Sequence, residues 1–144
     1  MLKQFEGLKK KNYCVELKKT FYKHGERTTC IVEMAIPVPY WMHGAGKNVI
    51  KKFPNINAGW TEEAWDCYKF TIIGTCIPKD GDIYDEKKGE TIAYSKCQRK
   101  AYSITARVLA MLSNELAKFS ANYEKAAAFM AMACDREQRF IDSL

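Results

Sequence analysis

The chain has 144 residues, 47% of them hydrophobic and 28% charged, with a net charge of +6, the ordinary makeup of one soluble domain with a single core. No window approaches the roughly 20 apolar residues needed to cross a bilayer, and Met1-Leu2-Lys3-Gln4-Phe5-Glu6 contains no apolar run of signal-peptide type. The expected setting is therefore the cytoplasm, with no membrane partner.

Residues 1–11 form a basic N-terminal arm with Lys9, Lys10 and Lys11 in a row. Residues 12–22 alternate, with Tyr13, Val15, Leu17, Lys19 and Phe21 on one side and Cys14, Glu16, Lys18 and Thr20 on the other, which predicts a half-buried strand. His24-Gly25 supplies a tight turn, and residues 27–36 return as a second strand ended by Pro37 and Pro39. With the turn centred on Lys23-His24-Gly25-Glu26, opposing residue numbers sum to 49, so Cys14 faces Ala35 and Cys30 faces Lys19.

Residues 37–65 form a long aromatic loop that holds Tyr40, Phe53 and all three tryptophans together with Lys47, Lys51 and Lys52. Asn57-Ala58-Gly59 reads as a turn that leads into one helical turn capped by Thr61. Residues 66–77 predict a third strand, central in the sheet because Thr71-Ile72-Ile73 is β-branched on both faces.

From Glu90 onward the chain has no Gly or Pro and is rich in Ala, Leu, Met, Lys and Glu, so residues 90–142 are helical. Cys97, Ala101, Ile104, Val108, Leu112, Leu116 and Phe119 give a stripe to cover the sheet, and Lys96, Arg99, Lys100 and Arg107 lie opposite. Ser120-Ala121-Asn122 is the natural place for a break. A straight helix would span about 80 Å at 1.5 Å per residue, so residues 120–142 either fold back or pack against a second protomer. The fold class is α+β: an antiparallel sheet of three or more strands, with a long helix or helical hairpin on one face.

The chemical motifs are weak. Gly44-Ala45-Gly46-Lys47 looks like a phosphate loop, but Trp41 stands where the first Gly belongs and Asn48 where Ser or Thr belongs, leaving a glycine turn that presents Lys47. Asp80, Asp82, Asp85 and Glu86 fail the EF-hand spacing and fit better as caps of a helix start. Six cysteines without a CxxC, and two histidines, predict reduced thiols and no zinc. No thiol is linked to a base and no carboxylate pair has a local signature, so no catalytic residue and no cofactor is expected.

Charge placement is more informative. Residues 1–60 hold 11 Lys/Arg against 4 Asp/Glu, and residues 61–144 hold 12 against 13. The first half thus carries a net +7 and the second −1, an asymmetry that suits an anionic partner.

Gly89-Glu90-Thr91 followed by Ser95-Lys96-Cys97-Gln98-Arg99-Lys100-Ala101 resembles the start of the last helix of double-stranded-RNA-binding domains, in which a basic cluster grips phosphates. That resemblance implies phosphate contacts at Lys96, Arg99 and Lys100. The stretch Asp82-Ile83-Tyr84-Asp85 through Gly89 to Ile92-Ala93 is also similar to small accessory proteins of phages and mobile elements. The leading expectation is a non-enzymatic accessory protein that binds nucleic acid, with Lys47, Lys51, Lys52, Lys96, Arg99 and Lys100 on phosphates and Tyr40 or Trp41 stacking on bases. One alternative is a protein-interaction module, such as an inhibitor of a host defence enzyme, with the aromatic loop as its hot spot. Another is an oligomer that holds a small anionic ligand between protomers.

Overall fold

The structure, a computed structural model, describes residues 6–60, 66–81, 83 and 85–144. Gly25, with φ of 62°, occupies the first central position of a two-residue loop that joins β1 (Val15–His24) to β2 (Arg27–Val38). The loop is Gly25-Glu26, one residue later than the sequence pattern suggests. Phe21 therefore faces Cys30 and Lys19 faces Val32. A bulge between Glu16 and Lys18 shifts the register by one, so Val15, rather than Cys14, lies opposite Ala35.

After β2 the chain makes a 3-10 turn (Tyr40–Met42), then α1 (His43–Ile50), then β3 (Asn57–Trp60). Much of the expected aromatic loop is thus regular structure, and Asn57-Ala58-Gly59 is strand rather than turn. The Thr61 cap lies outside the described residues. β2 continues through Pro37 to Val38, because β4 (Asp66–Cys76) pairs with it over its whole length, from Thr28 opposite Cys76 to Val38 opposite Asp66. β3 pairs with β4 only from Asn57 opposite Lys69 to Trp60 opposite Asp66. The sheet is four-stranded and antiparallel in the order β1-β2-β4-β3.

One face of this sheet is covered by α2 (Glu86–Ser143). The helix begins four residues before Glu90 and runs through Gly89, with Asp85 capping it by accepting from the Lys88 backbone N–H at 3.2 Å. It does not break at Ser120-Ala121-Asn122. Where it first meets the sheet, the residues every four positions are small: Gly89, Ala93, Cys97, Ala101 and Thr105, all buried. Small side chains let the helix lie directly on the strands. An ideal Cβ on Gly89 would sit 3.0 Å from Thr28 Oγ1, and one on Gly74 would sit 2.3 Å from the Ala93 carbonyl oxygen. Farther along, the residues become large. Val108 and Leu112 join Ile36, Val38 and Val49 in a core from which water is excluded, as expected where a twisting sheet diverges from a straight helix.

Ala45 and Val49 are the buried residues of α1 on this core, with Gly46 against Tyr68 of β4. The expected flexible glycine turn is therefore a helix, whose second glycine is needed for close approach. Five of the six cysteines are buried, Cys134 is exposed, and none is joined in a disulfide. Among the described residues, no helix is long and apolar enough to cross a membrane.

Candidate nucleic-acid interface

The two flanks of α2 treat their cations differently. On the β1 flank they are neutralised or cover aromatic rings. Lys23 forms ion pairs with Glu86 and, at 3.6 Å, with Glu90. The Lys19 ammonium lies 4.4 Å from the Tyr94 ring centroid, and that of Lys10 lies 5.0 Å from the Tyr102 ring. Tyr94 donates to Glu16 at 2.5 Å. This hydrogen bond, with burial a smaller cause, pushes the Tyr94 phenol up to about 12. The bulge at Leu17 makes this cluster possible, since it puts Glu16, Lys19, Phe21 and Lys23 on the face toward α2, against simple alternation.

On the β4 flank, β3 stops opposite Lys69, so among the described residues no strand neighbours the carbonyls of Ile73 and Thr75 on that side. Lys100 donates to the first at 2.7 Å and Lys96 to the second at 2.8 Å. These lysines blunt an exposed strand edge. Each ammonium has three donors, so the edge contact leaves two for another acceptor. Arg99 and Lys100 are exposed, as is Lys96.

Two turns farther along α2, the Arg107 guanidinium lies 5.3 Å from the centroid of Phe53. Phe53 closes the turn after α1, and its backbone N–H donates to the Ile50 carbonyl. α1 and that turn carry Lys47, Lys51 and Lys52, all exposed. Among the described residues, none of Lys47, Lys51, Lys52, Lys96, Arg99, Lys100 or Arg107 forms an ion pair with an acid. Trp41, 72% exposed, lies in the turn that enters α1. The side chain of Tyr40 lies outside what the structure describes.

The α1–α2 contact brings the turn that carries Lys51 and Lys52 against Arg107, seven residues along α2 from Lys100. Lys96 and Lys100 sit at the β4 edge, while Lys47 sits on α1 and Lys51 and Lys52 follow it, with Trp41 in the turn that enters α1. Arg107 and Phe53, absent from the predicted set, link the two groups. The helical spacing of Arg107, seven residues after Lys100, was the available signal; Phe53 had none. A cleft of about 420 Å³ continues the flank past Lys96 toward the start of α2, lined by Lys79 and Lys88 together with Glu26 and Asp85.

Comparison with known proteins finds no family model, no curated protein and no solved structure that matches the chain.

Proposed function

We propose that the protein is a non-enzymatic accessory protein, of the kind found in phages and mobile elements, that binds nucleic acid along the β4–α1 flank. The observation that carries this reading is that Trp41, largely exposed, enters the same short helix that carries Lys47 and leads into Lys51 and Lys52, all exposed and, among the described residues, without acid partners. A cationic track next to a flat aromatic ring suits a strand whose phosphates are neutralised while a base stacks. Lys96, Arg99 and Lys100 extend the track along α2, at the positions that the likeness to double-stranded-RNA-binding domains marks for phosphate contact.

The test is binding of fluorescent single- and double-stranded oligonucleotides as a function of salt. Changing Lys47, Lys51 and Lys52 to Gln together should lower the slope of log affinity against log salt by about 2 on single strands. Trp41→Ala should cost about 1–3 kcal/mol through lost stacking and leave the slope unchanged. No binding to any oligonucleotide at low salt would overturn the reading.

Trp41 also supports a second reading, capture of a protein partner with this ring as its anchor. In that case Trp41→Ala abolishes capture and the triple lysine change has little effect.

A further inference from the structure

Among the described residues, nothing covers α2 after Leu116. Residues 117–143 project from the body as about 40 Å of helix, at 1.5 Å per residue. With Leu144 they expose Phe119, Tyr123, Phe129, Met130, Met132, Phe140 and Ile141, all but Phe119 to more than half of their area. A helix without tertiary contacts gains little from propensity alone and draws its stability from an apolar face that is buried.

The exposed side chains are ordered. Leu112 and Leu116, which pack on the body, start a spacing of four and three that continues through Phe119, Tyr123, Ala126, Met130, Ala133, Glu137, Phe140 and Leu144. Phe129 and Ile141 flank this stripe, and Lys118, Glu124, Lys125, Asp135, Arg139 and Asp142 fall on the opposite side, with Met132 as the one large apolar residue among them. This is the pattern of a two-helix seam.

We infer that the seam is covered by the same segment of a second copy, running antiparallel. Four features select this occupant. First, residues 117–143 hold four cations (Lys118, Lys125, Arg136, Arg139) and four anions (Glu124, Asp135, Glu137, Asp142). They neither attract a polyanion nor repel a copy of themselves.

Second, the stripe is bulky at both ends, and in an antiparallel pair an alanine stands in each of its middle layers. With Phe119 opposite Leu144, Tyr123 falls opposite Phe140, Ala126 opposite Glu137, and Met130 opposite Ala133. A parallel pair would instead set Glu137 against Glu137.

Third, this register brings the partner's C-terminus level with Phe119, where the body ends. The two basic bodies then sit at opposite ends, separated by several times the Debye length of about 8–10 Å. Fourth, the exposed apolar side chains on and beside the seam approach the roughly 800 Å² per partner of a standard interface, with aromatics contributing about 150–250 Å² each when fully buried.

Native mass spectrometry and light scattering test the assembly, and a paired spin-label distance tests its direction. The wild-type chain should behave as a dimer. The double variant Tyr123→Lys with Met130→Lys, which changes only exposed residues, should be monomeric at about 10 μM with its sheet intact by circular dichroism. Labels at Leu144→Cys in a Cys134→Ala background should lie about 38 Å apart along the seam, 25 residues of helix at 1.5 Å each. A monomeric wild type, a double variant that stays dimeric, or labels in contact would each overturn the arrangement.

Discussion

Gly74→Ala is expected to destabilise the protein by about 3 kcal/mol or more, at the upper end of overpacking costs. The added methyl would lie 2.3 Å from the carbonyl oxygen of Ala93, 2.9 Å from Cys97 Sγ and 3.1 Å from Cys97 N. Two of those atoms are helix main chain, so no rotamer change can make room. The helix must lift by about an ångström, which also loosens the contacts of Gly89, Cys97 and Ala101 on the sheet. In thermal melts this should lower Tm by about 10 °C. Gly44→Ala is the control: it lies in α1, with no atom within 4 Å of an added Cβ, and should stabilise by about 0.5–1 kcal/mol. Equal melting of the two variants would refute the close helix–sheet contact assigned to Gly74.

The same stripe explains how much of the fold was legible. Periodicity predicts α2 and its apolar face because 3.6-residue repetition survives whatever the face packs against. It does not show that the first half of that face is small because strands lie against it, since smallness in a helix also reads as simple propensity. Gly89 looks like a boundary for the same reason: intrinsically a helix breaker, it is retained inside the helix by contact with Thr28. The fourth strand was hidden in Asn57-Ala58-Gly59, residues that favour turns. Its place in the sheet comes from pairing with β4, a contact between distant residues that no local propensity encodes. The bulge at Leu17 has a similar origin, and it reverses which residues of β1 meet α2.

For the candidate site, residue types were legible and their partners were not. Lys96 and Lys100 read as free cations because a helix surface gives no hint that a strand edge ends beside it. Lys19 and Lys23 attracted no notice, yet Lys23 pairs with Glu86 and Glu90 and Lys19 lies over Tyr94. That difference concentrates unneutralised charge on the other flank. Trp41 was readable as exposed only in the weak sense that a tryptophan among lysines and glycines has few apolar neighbours in sequence.

Stability should be level from neutral pH to about 9 and then fall steeply as pH rises toward 12. Burial pushes the Cys30 thiol up to about 12, with the neighbouring Cys97 thiol adding to the rise. Burial also raises Cys97 and Cys14, although a hydrogen bond to each works in the other direction. Tyr94 is raised as well, chiefly by its hydrogen bond to Glu16. All four groups hold their protons more tightly when folded than when unfolded. Below the unfolded values both states are protonated and the full stability is present. Between those values and the folded ones the unfolded chain releases protons first, so each group removes up to about 1.4 kcal/mol per pH unit. For Cys30, a rise from 9 to about 12 amounts to roughly 4 kcal/mol in all, a large part of the 5–15 kcal/mol typical of a whole domain. Urea midpoints measured from pH 7 to 11 should therefore drop sharply above 9. Cys30→Ala should be less stable at neutral pH, because Cys30 lies fully buried beneath Cys97, yet lose less stability on going to pH 11. A midpoint that stays level through pH 11, or a Cys30→Ala curve parallel to that of the wild type, would show that these thiols are not held in the low-dielectric core between β2, β4 and α2.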